Sequence, residues 1–231
     1  MKRLALLLCC LVLGLGSAWA STGSINPNDF QDPVNWCTNY GCTNGQFGTP
    51  QNWISTGGLT GMVGLVSSQN MQNLQQGNSW FGNYSNGMGL IYNGVFTLGN
   101  TPGGILLSFN TPVNGAGAYI QANFQTAFTG SIQLYDASFN LLGAYSHAGL
   151  SDSNVGTALF LGAFDSTADV SYALFDTSQA SFNEDFSIGT LIIQTTGQST
   201  TPEPSTLLLV GPSLLGLAGV LRRRMSRKEV L

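Results

Sequence analysis

Between Ser21 and Thr201 this chain has no lysine and no arginine. All seven of its basic residues sit at positions 2, 3, 222, 223, 224, 227 and 228. The same interior holds nine acids: Asp29, Asp32, Asp136, Asp152, Asp165, Asp169, Asp176, Glu184 and Asp185. Its formal charge is therefore −9, against −4 for the whole chain. Three exclusions follow. No Lys or Arg salt bridge can stabilise the interior, so apolar burial and hydrogen bonding must. Nucleic acid and anionic lipid are disfavoured, because no cation is present to displace phosphate counterions. Any metal must be a hard cation held by oxygen ligands, which points to calcium alone.

The usual groups of catalysis are scarce too. Histidine occurs once, as His147 in Tyr145-Ser146-His147-Ala148-Gly149, and no Gly-x-Ser-x-Gly elbow accompanies it. A partly exposed strand-end or loop histidine explains it more simply than a triad. A glycosidase needs two carboxylates flanking a sugar. Glu184 and Asp185 are adjacent, and in a strand they would point to opposite faces. Asp136, Asp152 and Asp165 lie in turn-like stretches, where capping of local backbone N–H groups accounts for them. No glycine loop of the phosphate-cradling kind is present. Helical patterning is missing as well: Ser67–Gln76 is polar and poor in helix formers, and reads as a loop or a single turn.

Cysteine is almost absent. Cys37 and Cys42 form the one pair outside the N-terminal apolar run. In an oxidising compartment two cysteines this close most simply close a small disulfide loop. The chain-entropy estimate for such a loop is roughly 2 kcal/mol. Zinc is the rival reading, but two thiols and a distant His147 leave it one ligand short.

What is present is β-pattern. Residues 21–58, rich in Asn, Gly, Thr, Gln and Pro, read as an irregular lead-in, with Trp36, Phe47 and Trp53 as its contacts. From Leu59 to residue 198 short strands alternate with turns. Candidates are Gly61–Ser67, Gly89–Tyr92, Val95–Leu98, Ile105–Phe109, Ala116–Phe124, Ser131–Tyr135, Leu141–Ser146, Ala158–Phe164, Val170–Leu174 and Ile188–Gln194. Ala118, Ile120, Ala122 and Phe124 fall on one face, with Tyr119, Gln121 and Asn123 on the other. Ile132 and Leu134 alternate with Ser131, Gln133 and Tyr135. Val170, Tyr172 and Leu174 alternate with Ser171, Ala173 and Phe175. Breaks such as Asn86-Gly87, Asn93-Gly94 and Asn114-Gly115 separate them. Strands at this spacing with no helix between predict an all-β antiparallel β-sandwich.

Both ends differ from this interior. Residues 1–20 read as a signal peptide: Lys2 and Arg3, an apolar Leu4–Gly16, then Ala18-Trp19-Ala20 as the small-x-small site. Cleavage is expected near Ser21. A lipoprotein acceptor at Cys9 or Cys10 is a minor reading, since Leu7 and Leu8 stand where small residues are wanted. Residues 199–231 run Thr201-Pro202-Glu203-Pro204, an uncharged helix over 205–221, then Arg222-Arg223-Arg224-Met225-Ser226-Arg227-Lys228. Seventeen helical residues reach roughly 26 Å at about 1.5 Å each, just short of a hydrocarbon core of about 30 Å. Snorkelling arginines cover the shortfall, and the basic tail should stay cytoplasmic.

This ordered set resembles the PEP-CTERM sorting signal of exported bacterial proteins. Its parts are Pro202-Glu203-Pro204, the helix with its Leu214-Leu215-Gly216-Leu217-Ala218-Gly219 core, and the end carrying Arg222, Arg223 and Arg224. The resemblance implies signal peptidase and exosortase as export partners and a transient inner-membrane anchor. It then implies display on the cell envelope or release into an exopolysaccharide-rich biofilm matrix. An ordinary single-pass tail anchor is the alternative. A second resemblance spans residues 105–193. Ser108–Val113 with Gly115–Tyr119, Gly130–Gly143 and Leu159–Ala163 are similar to the strand motifs of PEP-CTERM cargo domains, which implies a jelly-roll sandwich like those of carbohydrate-binding modules. Phe182-Asn183-Glu184-Asp185-Phe186 departs from the Phe-x-Ile-Asp-Asn-Phe pattern of the last strand there.

The chain is thus expected to be an exported, non-enzymatic surface or matrix protein associated with polysaccharide, with no nucleic-acid partner and no cofactor beyond an optional structural calcium. Trp80, Phe81 and Tyr84 are candidate platforms for a sugar if it is instead a dedicated carbohydrate-binding module. Asp29 with Asp32, or Glu184 with Asp185, are the calcium candidates. A secreted hydrolase using His147 is the third reading.

Overall fold

Period-two alternation of apolar residues is satisfied when one face of each strand meets a core, and most of the long strands take that solution. The computed structural model describes residues 22–42, 44–48, 50–67, 70–94, 103–179 and 185–195. The chain divides after Gly197 into two compact units, and all described residues belong to the first. The expected signal peptide, the Val95–Leu98 strand, Glu184 and the segment carrying Pro202, Glu203, Pro204 and Arg222–Arg224 lie outside the described residues. Among those described, no helix is long and apolar enough to cross a membrane.

Fourteen strands are described: β1 (Thr22–Ser24), β2 (Asp32–Val34), β3 (Gly45–Phe47), β4 (Gln51–Ile54), β5 (Thr60–Leu65), β6 (Met71–Gln75) and β7 (Gly89–Tyr92) come first. They are followed by β8 (Ile105–Val113), β9 (Gly115–Ala122), β10 (Ala127–Tyr135), β11 (Leu141–Leu150), β12 (Leu159–Phe164), β13 (Val170–Gln179) and β14 (Phe186–Gln194). One short helix, α1 (Trp36–Tyr40), interrupts the early strands. The strands form two antiparallel sheets. Sheet A is eight-stranded in the order β1-β12-β9-β14-β7-β6-β3, with β2 also on β14. Sheet B is six-stranded in the order β11-β10-β13-β8-β5-β4.

The inner faces share one apolar core. Sheet A contributes Ala116, Ala118, Ile120 and Ala122 of β9 and Phe186, Ile188, Leu191 and Ile193 of β14. Sheet B contributes Ile105 and Leu107 of β8, Ile132 and Leu134 of β10, and Phe175 of β13. The expected alternation on β9 and β10 therefore holds, with Phe124 left exposed beyond the end of β9. On β13 the pattern breaks. A register shift between Val170 and Tyr172 puts Val170 and Ala173 both inward, and Tyr172 and Leu174 turn outward.

Two further expectations give way. The stretch 21–58 is not an irregular lead-in. It supplies β1 to β4, which pair with β12, β14, β6 and β5 respectively. These strands are three or four residues long, too short for alternation to register against a polar background. Ser67–Gln76 likewise contains β6, whose Gln72, Asn73 and Leu74 are all buried. Met71 joins the main core and Leu74 a second apolar cluster, while the polar Gln72 and Asn73 between them are buried as well, so the burial of β6 leaves no alternating apolar signal.

The lead-in is also where the chain is tied. Asn35 caps α1, its Oδ1 accepting from Cys37 N at 2.9 Å and Thr38 N at 3.3 Å. Gly41, at φ 74°, ends the helix in the left-handed region. A disulfide joins Cys37 to Cys42 across this turn, with the Cα atoms 4.8 Å apart. Held there, Asn39 treats β4 as a neighbouring strand would. Its Oδ1 accepts from Ile54 N at 2.7 Å and its Nδ2 donates to Ile54 O at 3.0 Å, while the Tyr40 hydroxyl donates to Asn52 O at 2.9 Å. Trp36, fully buried, donates from Nε1 to Gly189 O at 2.6 Å. That carbonyl sits where β14 shifts register between Ile188 and Leu191 and leaves the ladder.

Trp36→Phe removes the indole donor to the Gly189 carbonyl while keeping an aromatic ring. An orphaned buried acceptor costs about 1–3 kcal/mol. The variant is expected to lose at least that much unfolding free energy in urea denaturation, with an unchanged slope. A loss within ~0.5 kcal/mol of zero would show that the indole bond contributes nothing net.

Candidate functional site

The outer face of sheet A is not solvent-facing like an ordinary sandwich face. Register places Gln72 opposite Tyr92, Tyr92 opposite Ser187, and Ser187 opposite Gln121. A single cross-strand row of four polar side chains thus runs over β6, β7, β14 and β9. Leu74 and Leu90 form the next row. Residues 76–88, which join β6 to β7, fold back over these rows, and Trp80 and Tyr84 pack with Leu74, Leu90 and Tyr92 into a second small core.

Amide and hydroxyl bonds pin this loop down. Gln76 and Gly82 bond reciprocally: Gln76 Nε2 donates to Gly82 O at 2.6 Å, and Gly82 N donates to Gln76 Oε1 at 3.2 Å. Gln121 Oε1 accepts from Trp80 Nε1 at 3.0 Å and from Asn83 N at 3.2 Å, and Gln121 Nε2 donates to Ser151 Oγ at 2.8 Å. The Tyr84 hydroxyl donates to Ser187 O at 2.6 Å. Asn83 Nδ2 reaches Leu150 O at 2.9 Å, at the end of β11 in the other sheet. At Gly82 the loop lies flat on the Gln121 amide, and a Cβ there would overlap it.

This anchoring sorts the three expected platform residues. Trp80 is 7% exposed and Tyr84 0%, so both are structural and neither offers a ring face to a ligand. Phe81, between Trp80 and the flattened Gly82, is 75% exposed. It borders a cleft of about 330 Å³ whose walls include the amides of Asn44, Gln72, Gln121, Asn123 and Gln125. These amides, spread over three segments, were not legible as a group in the sequence. Only the alternation of Gln121 and Asn123 on β9 hinted at a polar outer face.

Beneath the cleft lies a buried acidic cluster. The Tyr92 hydroxyl donates to Asp185 Oδ2 at 2.6 Å, and Asn123 Nδ2 donates to the same oxygen at 2.8 Å. Burial foremost, then the Asp185 hydrogen bond and charge, push the Tyr92 phenol far above its ordinary pKa. Burial does the same to Tyr84 against the opposing bond to Ser187. Neither phenol can exchange a proton near neutral pH.

Of the calcium candidates, Glu184 lies outside the described residues, and Asp29 and Asp32 each serve a different turn. Asp29 accepts from Ser24 Oγ and, at 3.4 Å, from Asn26 Nδ2 in its own turn. Asp32 is buried and accepts from Ser55 Oγ at 2.5 Å, Thr56 Oγ1 at 3.1 Å and Gly57 N at 2.6 Å, so it fastens the β4–β5 turn to β2. No group of three or more His, Cys, Asp or Glu able to hold a metal occurs among the described residues. His147 lies mid-strand on β11, half-buried, with Nδ1 2.8 Å from Ala148 O. It takes no part in the cleft.

The turn acids behave as capping predicts. Asp136 accepts from Ser138 N, Asn140 N and Asn140 Nδ2, each at 2.8 Å. Asp152 and Asp165 bond to Asn154 N and Thr167 N at 2.8 and 2.9 Å.

No family model and no curated protein matches this chain. Among solved structures, a DUF4465 family protein from Bacteroides caccae aligns with 75% of this chain and 100% of its own, at 13% identity and a TM-score of 0.40.

Hydrogen bonds from the Asn140 side chain, then from the Asn140 and Ser138 backbone, hold the Asp136 carboxyl below its ordinary pKa. Its contribution to stability is therefore complete above the unfolded-state pKa and disappears as pH falls through the lower folded value. NMR titration of the Asp136 carboxyl should show the depressed midpoint, and Asn140→Ala should raise it toward the ordinary value. An unmoved midpoint would refute the assignment.

Proposed function

We propose that this chain is an exported, non-enzymatic protein of the cell surface or extracellular matrix, sorted by an exosortase through a PEP-CTERM signal and associated with exopolysaccharide. The observation that carries this reading is a charge pattern: a cation-free, acidic interior lies between two apolar segments, each with basic residues at its outer end. The Cys37–Cys42 disulfide supports it, because such bonds persist in oxidising compartments outside the cytosol. A jelly-roll-like topology is supported by the connections: from β8 to β14 every one except the β10–β11 hairpin crosses between sheets. Signal peptidase, exosortase and the inner membrane are its passing partners in this reading.

A second reading, a dedicated carbohydrate-binding module, is favoured by one specific observation. The cleft beside Phe81 sets an exposed aromatic ring next to several uncharged amides.

Mass spectrometry of the native protein from an exosortase-bearing host tests the sorting reading. The expected product begins near Ser21 and ends upstream of Leu207. Recovery of the chain from Met1 to Leu231, unprocessed and in the cytosol, would overturn it.

A further inference from the structure

The cleft beside Phe81 carries two features that packing does not account for. The first is Phe81 itself. Its loop is immobilised by the Trp80–Gln121, Gln76–Gly82 and Tyr84–Ser187 bonds, yet this one ring is held outward at 75% exposure. Leaving a large apolar ring in water on a fixed support forgoes burial worth more than most single contacts. The second is Gln72. It is 4% exposed, it lines the cleft, and its side-chain amide makes no hydrogen bond to any described residue. Its amide faces the cleft and is not sealed off from it, so both its donor and its acceptor are open to a group that enters.

Other walls of the cleft have the same character. Asn123 spends its Nδ2 on Tyr92 and Asp185, which leaves Oδ1 without a described donor. Asn44 and Gln125 stand exposed at the rim. An amide both donates and accepts, so a set of them suits a ligand whose groups do likewise. Hydroxyls arrayed around an apolar ring face are that ligand: the hydroxyls meet the amides, and the C–H face meets Phe81. Charge narrows it further. Among the described residues no ionisable side chain lines the cleft, the acidic Asp185 bonds to its Asn123 wall, and the interior carries −9 with no cation. A carboxylated, sulfated or phosphorylated ligand would find repulsion and no counter-charge.

We infer that this cleft is a saccharide-binding site, with Phe81 as the stacking platform and Gln72 and Asn123 as the orienting groups, selective for neutral over anionic sugars. The volume, about 330 Å³, lies at the small end of ligand sites at roughly 300–1,000 Å³, so the site holds a short stretch of a chain. This rests on the polysaccharide association proposed above and gives it an address.

The test uses the full chain purified from an exporting host, titrated with neutral gluco-, manno- and galacto-oligosaccharides and with uronate oligosaccharides of equal length. Wild type should bind at least one neutral series and bind uronates at least tenfold more weakly. Phe81→Ala should weaken binding tenfold or more with an unchanged melting temperature, because the ring packs on little. Gln72→Ala should weaken it severalfold, and Phe139→Ala, a second exposed ring at the β10–β11 turn, should leave it unchanged. Neutral binding that survives both Phe81→Ala and Gln72→Ala overturns the site but leaves polysaccharide association standing. Uronate binding equal to neutral overturns the selectivity. Absence of binding to every series overturns the site and the carbohydrate-binding reading together, without touching the evidence from processed termini. Saturable capture of a protein in place of any sugar would also overturn the inference.

Discussion

A domain with no lysine or arginine can pair its buried acceptors only with neutral donors, and that constraint shapes the whole sandwich. Asp32 is held by two hydroxyls and a backbone N–H, Asp185 by a phenol and an amide, and the Gly189 carbonyl by an indole. Each of these bonds joins segments distant in sequence: Asp32 to the turn at residues 55–57, Tyr92 to Asp185, Trp36 to Gly189. Where another protein would use a guanidinium fork, this one uses Asn, Gln, Ser, Tyr and Trp. Neutral donors carry a smaller desolvation penalty than buried ions, so the arrangement costs less to fold but tolerates less misplacement. The abundance of Asn and Gln is then a structural requirement before it is a functional one.

Gln121 shows how the two overlap. Its amide accepts from Trp80 and Asn83 and donates to Ser151, so one side chain on β9 fastens the 76–88 loop and the start of the β11–β12 connection to sheet A. The same side chain forms a wall of the cleft. The loop's fixed course decides which ring faces inward and which faces out. Phe81 is presented because Trp80 and Tyr84 are consumed.

The long strands could be read from the sequence because their alternation is long enough to exceed noise. The expected spans of β9, β10, β12 and β14 match the observed ones to within a few residues, and the four-residue β7 shows instead as an apolar Leu90-Ile91-Tyr92 run between Asn-Gly turns. The short early strands could not. β1, β2 and β3 have three residues each, and their pairing is decided by partners far along the chain: β1 by β12, β2 by β14. β6 was missed for a different reason. Its Gln72 and Asn73 are polar yet buried, so burial there has no hydrophobic signature. On β13 a bulge reset the face, something alternation alone has no means of showing. For the site, the stretch Asn78–Tyr84 was legible as aromatic, but the division into inward Trp80 and Tyr84 and outward Phe81 depends on bonds to residues 121 and 187. The pairing of Cys37 with Cys42 needed only their spacing.

The Asn39 side chain has a consequence for the molecule in company. β4 terminates sheet B, and an outermost strand normally offers a free hydrogen-bonding template to any passing chain. Here the donor and acceptor of Ile54 are occupied from within the same molecule, and the acceptor of Asn52 by Tyr40, both residues lying inside the loop that the disulfide closes. Sheet growth across that border is refused locally. The fold thereby carries its own guard against edge-to-edge polymerising, and the disulfide across residues 37–42 braces the loop that provides it.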